Sequence, residues 1–258
     1  MSVQLSPGGV SWADACRGGV PTRAREVRAL FEGFETRRVD VGEASVLVRY
    51  GGEGPPVVLL HGHPRTSATW HRVAPLLVRR GFTVVCPDLR GYGRSTGPAP
   101  TADHAGYSKR AVPGDVVEVM RSLGHARFAL AGHDRGGSVA LRLALDRPDA
   151  VSRVALIDCL PLTEHLSRIT TEFATQWWHW FFFAQPDIPE RVINADPDSW
   201  YRGAPGAWGR RTMTSGARPR GTPTWCGRCW RTTGPVSPST GGTRRTTAPP
   251  GHGSGARR

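Results

Sequence analysis

Four short apolar runs punctuate the chain, and each closes on glycine, proline or an acid. Residues 55–60 lead into His61-Gly62-His63-Pro64, and residues 82–86 lead into Pro87-Asp88-Leu89-Arg90-Gly91-Tyr92-Gly93-Arg94-Ser95. Residues 127–131 lead into Gly132-His133-Asp134-Arg135-Gly136, and residues 151–157 end at Asp158. Runs of this length, mostly apolar rather than alternating, predict strands of the buried type found in parallel sheets. The segments between them are long enough for helices, which predicts parallel βαβ units and an α/β fold: a mostly parallel sheet flanked by helices. In such a sheet the loops at the carboxyl ends of the strands gather at one end, where ligands bind.

The third run carries the most chemistry. Glycines two before and two after Asp134 are what a strand-turn-helix elbow needs, because side chains at those flanks would collide with the strained central backbone. Esterases place Ser at such a centre. A carboxylate there is a poor nucleophile toward an ester carbonyl but suits in-line attack on a saturated carbon bearing halide or epoxide oxygen. The bland alternative for Asp134 is a helix cap in a glycine-rich turn, and the same alternative exists for Asp158. The backbone N–H groups of His63 and Arg135 could form an oxyanion hole for the hydrolysis of an Asp134 ester.

The ordered set of motifs resembles the α/β-hydrolases, in the branch of the haloacetate (fluoroacetate) dehalogenases and epoxide hydrolases. Besides the loops quoted above, the resemblance rests on Asp103-His104-Ala105-Gly106-Tyr107-Ser108, Leu156-Ile157-Asp158 with Pro161, Trp178-His179-Trp180-Phe181-Phe182 with Gln185-Pro186, and Ala195-Asp196-Pro197-Asp198. It runs from about Phe31 to Tyr201. It implies that Asp134 is the nucleophile and Asp158 the acid that orients a catalytic His. It further implies that Arg135 grips a substrate carboxylate and that His179 and Trp180 hold the leaving halide from a helical cap. The family carries a second Arg four residues after the nucleophile; here that residue is Ser138, which favours a neutral halide or epoxide more than a second clamp would. Epoxide opening calls for cap tyrosines, and Tyr201 is the only one in the cap stretch. No cofactor and no metal is implied, and the remaining histidines show no metal spacing.

Composition divides the chain. Residues 203–258 contain no Asp, Glu, Lys, Leu, Ile or Phe, but 12 Gly, 10 Arg, 10 Thr and 7 Pro. Such a segment is expected to be disordered. It supplies +10 of the formal +13 charge, leaving 24 Lys+Arg against 21 Asp+Glu in residues 1–202. The basic balance therefore belongs to the tail and predicts no specific nucleic-acid partner for the rest. The expected organisation is an N-terminal extension (1–30), a hydrolase core (31–160), a partial helical cap (161–202) and a basic tail (203–258). Related enzymes continue with further cap, the last strands and the catalytic His, so the C-terminal strands are expected to be missing. Residues 230–236, back-translated and read two nucleotides on, can give Glu-Asp-Tyr-Arg-Ala-Gly; gene damage, a sequencing error and a true truncation all fit. A chain without the His is expected to stall at the ester, and a non-catalytic fragment with a basic tail is the other-class alternative. Cys226 and Cys229 have CxxC spacing but no second pair, and His252 lacks the strand that should precede a catalytic His loop. Five scattered cysteines and the lack of an apolar signal core predict a cytoplasmic protein acting on a small molecule, with no membrane association and an oligomeric state the sequence leaves open.

Overall fold

The computed structural model describes residues 30–99, 101 and 105–196. The N-terminal extension up to residue 29, Asp103, His104, Pro197, Asp198 and the tail with Cys226, Cys229 and His252 lie outside the described residues.

Six strands form one sheet: β1 (Glu35–Asp40), β2 (Ser45–Gly51), β3 (Pro56–Leu60), β4 (Thr83–Pro87), β5 (Phe128–His133) and β6 (Val151–Ile157). Their order across the sheet is β1-β2-β4-β3-β5-β6. The four apolar runs are the four parallel strands, paired β4 to β3, β3 to β5 and β5 to β6. Ahead of them, β1 and β2 form an antiparallel hairpin, and β2 runs antiparallel to β4. That hairpin is missing from the sequence reading because β1, Glu-Thr-Arg-Arg-Val-Asp, is almost wholly exposed and carries no apolar run.

Helices cover both faces. On one side α1 (Ala74–Val78) and a 3-10 turn (Ser67–Trp70) pack Trp70 and Ala74 on Leu59, Val84 and Cys86, with Phe31 beside them. On the other, α2 (Ala111–Ser122) contributes Val112, Val116, Val119 and Met120. There α3 (Arg135–Asp146) adds Val139, Ala140 and Leu143, all against Val58, Leu60, Val85, Phe128 and Leu130. Each large side chain buried here contributes roughly 1.5–3 kcal/mol, which is what fixes the layers. At the outer edge of the described sheet, β6 exposes Val154, Leu156 and Ile157.

The parallel strands all point their carboxyl ends the same way, so the loops after β3, β4, β5 and β6 meet. Asp88, buried just after β4, ties two of them together: it accepts from the Ser67 backbone N–H at 2.9 Å and from that of Arg94 at 3.2 Å, with Arg49 3.4 Å away. Above the meeting point lie α4 (Leu162–Ser167), α5 (Thr171–Gln176), α6 (Trp178–Phe183) and α7 (Ile188–Ala195). No helix among the described residues is long and apolar enough to cross a membrane.

Candidate active site

Asp134 alone turns the chain from β5 into α3, at φ 52° and ψ −117°. A non-glycine residue in such a sparsely populated conformation costs about 1–3 kcal/mol and persists only where its surroundings hold it. The surroundings here are glycine. A Cβ on Gly132 would lie 2.3 Å from the Gly136 carbonyl oxygen, and one on Gly136 would lie 2.4 Å from that of Leu60. Across the gap, a Cβ on Gly62 would lie 2.5 Å from Asp134 Oδ1.

This close approach lets the His63 backbone N–H donate to Asp134 Oδ1 at 2.7 Å. The distance suits an oxyanion-hole donor, because the oxygen it holds is the one that gains charge if water adds at the carboxyl carbon of an Asp134 ester. His61, one turn of chain earlier, is fully buried and locked: its Nε2 accepts from the Leu89 N–H at 2.9 Å and its Nδ1 faces the Gly62 carbonyl at 2.9 Å. Burial pushes its pKa down, which keeps the ring neutral with its proton on Nδ1. For Arg135 the structure fixes the side chain: the buried guanidinium donates from Nη1 to the Tyr92 hydroxyl at 3.0 Å, and its Cζ lies 6.0 Å from the Phe183 ring centre.

The cap reaches this site through one face of α6. His179 and Phe183 are four residues apart and so share a face, with ring centres 5.6 Å apart. Phe183 lies 6.2 Å from the His63 ring. Burial pushes the His179 pKa down, the Arg135 charge adds to this and Asp134 opposes it, so at neutral pH the imidazole is a neutral N–H donor beside both. One residue on, Trp180 is turned about 100° around the helix. Its ring packs on His165 at 4.9 Å, Phe173 at 6.1 Å and Trp177 at 6.1 Å, inside the cap. The ring over Arg135 is therefore Phe183.

Asp158 follows β6, whose Ile157 pairs with His133 of β5, so the two expected acids stand at the ends of adjacent strands. Asp158 sits at φ 49° with its carboxylate largely in solvent, 91% exposed. The imidazole beside it is His133, with Nε2 at 3.9 Å from Oδ2. No group of three or more metal-ligating side chains occurs among the described residues.

The sequence reading gave no role to Tyr92, Arg65 or Lys109. Arg65 and Lys109 both feel the Asp134 charge. Lys109 is the only lysine in the chain, a signal that was there to be used. Burial, reinforced by the positive charge of Arg135, pushes its pKa down to about 7. Below about pH 7 the amine therefore adds positive charge beside Asp134, and above that pH it does not. Affinity of the site for an anionic ligand is expected to fall as pH rises through this value. Between about 7 and the ordinary 10.5 the unfolded chain holds a proton that the folded chain has released, so stability should rise with pH across that window. Reductive methylation with 13C-formaldehyde labels only Lys109 and the N-terminus. An NMR titration midpoint of the Lys109 signal near 10.5 would contradict this placement. Ser138 Oγ and Cys159 Sγ lie 3.7 Å apart, with either able to donate.

Comparison with known proteins agrees with the geometry. The chain is 49% identical over 181 residues to a fluoroacetate dehalogenase from Burkholderia sp., covering 70% of this chain and 59% of that protein. It is 37% identical over 153 residues to a soluble epoxide hydrolase from Corynebacterium sp. strain C12, covering 58% of this chain and 51% of that one. The chain thus spans between half and three fifths of the length of these two relatives. A crystal structure of a Nostoc sp. PCC 7120 protein assigned to the alpha/beta hydrolases superposes with a TM-score of 0.74 at 41% identity, over 79% of this chain and 72% of that one. An epoxide hydrolase structure without ligand superposes with a TM-score of 0.67 at 29% identity, over 78% and 74%. Residues 55–186, which hold β3 to β6 and the elbow, match the family described as alpha/beta hydrolase fold, and since they make up just over half of the sequence, the chain belongs to that family.

Proposed function

We propose that the site carries out hydrolytic dehalogenation of a small haloacid through an ester on Asp134. The observation that carries this reading is the carboxylate at the elbow, with Oδ1 on the His63 N–H and the positive charge of Arg135 next in sequence. The oxygen bound to His63 stays in place while the other attacks the halogen-bearing carbon from behind. The C–O bond forms as the carbon–halogen bond breaks, and halide leaves with the electron pair. Arg135 holds the substrate carboxylate, since a guanidinium fork suits two oxygens. His179 supplies an N–H toward the departing halide, and Phe183 keeps water out of the displacement.

In the second step water adds at the Asp134 carboxyl carbon, the oxyanion rests on His63 N–H, and the ester breaks to give a hydroxyacid and regenerated carboxylate. A base must take the proton from that water, and Asp158, at the neighbouring strand end, is the acid assigned to orient and stabilise its imidazolium. The identity to a fluoroacetate dehalogenase supports the haloacid. The identity to a soluble epoxide hydrolase supports a second reading, epoxide opening by the same carboxylate. That chemistry needs an acid for the departing oxygen, and the cap stretch 161–202 contains a single tyrosine, Tyr201.

The test is to incubate the chain with chloroacetate or styrene oxide, digest with trypsin and weigh peptide 128–135, which contains Asp134 and no cysteine. A carboxymethyl ester on this peptide with matching chloride release is the expected result. A hydroxyalkyl ester from styrene oxide alone would favour the epoxide reading. Neither adduct and no halide would overturn both.

A further inference from the structure

We propose that Tyr92 is a positioning residue that aims the Arg135 guanidinium at the substrate carboxylate. The proposal rests on the reading of Arg135 as the carboxylate clamp. Tyr92 sits in the loop after β4 and is only 2% exposed. Its hydroxyl accepts from Arg135 Nη1 at 3.0 Å and lies 3.4 Å from His63 Nδ1. A phenol has one hydrogen. With Arg135 donating to the oxygen, that hydrogen is available to His63 Nδ1 when the His63 ring proton is on Nε2. Only the Arg135-to-Tyr92 direction is fixed; the Tyr92–His63 contact runs either way with the His63 tautomer. Burial and the Arg135 charge hold the His63 pKa well down, so its ring stays neutral.

The ring of Tyr92 is itself fixed. It stands edge-on to His61 at 5.2 Å and to His63 at 5.9 Å, and His61 is locked on both of its nitrogens. The hydroxyl is thus a fixed point on one side of the guanidinium, with Phe183 6.0 Å from its Cζ. An arginine has several rotatable bonds, and a clamp held this way loses less freedom when substrate binds. The same hydroxyl touches the residue whose N–H carries Asp134 Oδ1.

The test is Tyr92→Phe in the full chain, which keeps the ring and removes only the hydroxyl. Esterification of peptide 128–135 is followed in single turnovers with chloroacetate and with chloroacetamide, a neutral molecule of nearly the same shape. The expected result is a roughly tenfold rise in the half-saturating chloroacetate concentration, in line with one weakened charged hydrogen bond. The limiting rate and all chloroacetamide kinetics should change by less than about threefold, since the orientation lost acts on a carboxylate alone. In an Arg135→Gln background Tyr92→Phe should have no further effect on chloroacetate. Equal losses on both substrates, additive losses in the double variant, or no change would overturn the inference. If the unsubstituted chain forms no ester at all, the dehalogenation reading fails separately, and acetate binding followed by NMR decides Tyr92. A tenfold weaker affinity in Tyr92→Phe upholds the positioning role, and absence of acetate binding to the unsubstituted chain rejects it.

Discussion

Asp134→Ala should lower halide release from chloroacetate by at least about a thousandfold, because it removes the atom that forms the new bond and leaves no group to share the displacement. The variant keeps the elbow: alanine occupies the same left-handed backbone, and the glycines around it are untouched. Fold and melting temperature should therefore stay close to those of the unsubstituted chain. Halide release followed with an ion-selective electrode, together with the mass of peptide 128–135, checks the outcome. Halide release that survives in Asp134→Ala would remove Asp134 as nucleophile. Release that is lost together with the fold would say that the carboxylate's bond to His63 is needed for the loop to form.

Gly136→Ala is expected to act on stability, and strongly for so small a change. The added methyl would lie 2.4 Å from the Leu60 carbonyl oxygen and 2.5 Å from that of His61. Both are backbone atoms of β3 and its loop, which cannot swing aside as a side chain would, so the start of α3 must move off the sheet. Overpacking of this kind costs about 1–3 kcal/mol, equivalent to a fall of roughly 2–12 °C in melting temperature for a domain of this size. The same displacement carries Asp134 away from the His63 N–H, so ester formation should drop as well. Thermal unfolding followed by circular dichroism tests this, and an unchanged melting temperature would mean that helix and strand are farther apart than the elbow requires. Gly81 offers a control of the opposite kind. It is at φ 80° with open space where a Cβ would go, so substitution there meets backbone strain but no neighbour.

The four parallel strands and the elbow were legible in the sequence for a physical reason. A strand buried on both faces must be apolar throughout, and a turn that brings helix and strand backbones this close must be glycine on both flanks. Residues 55–60, 82–86 and 128–131 come close to the first condition, and Gly132 and Gly136 meet the second; residues 151–157 do not, since they include Ser152 and Arg153 and form the exposed strand β6. The placement of Asp134 and Asp158 at neighbouring strand ends follows from the same pattern, because consecutive parallel strands open onto one end. Of the hairpin, β1 was not legible, since an exposed edge strand bears no mark that distinguishes it from a loop; β2 carries the buried run Val46-Leu47-Val48, which the reading passed over.

What the sequence alone determined is thus the layer structure and the identity of the carboxylate at its focus, both dictated by local chemistry. Which side chains surround that carboxylate was decided by tertiary packing. His179 and Phe183 face Arg135 while Trp180 turns into the cap, because the facing side of α6 depends on how the helix lies across the loops and not on its composition, which is aromatic all round. Tyr92 lies 43 residues before Arg135 in the chain and Lys109 lies 25 residues before Asp134, and only the convergence of β4, β5 and α2 at one end of the sheet brings them together. No periodicity records such a meeting. Distances through space between residues far apart in sequence are set by the whole core, and so is the charge that a carboxylate's neighbours present to a substrate.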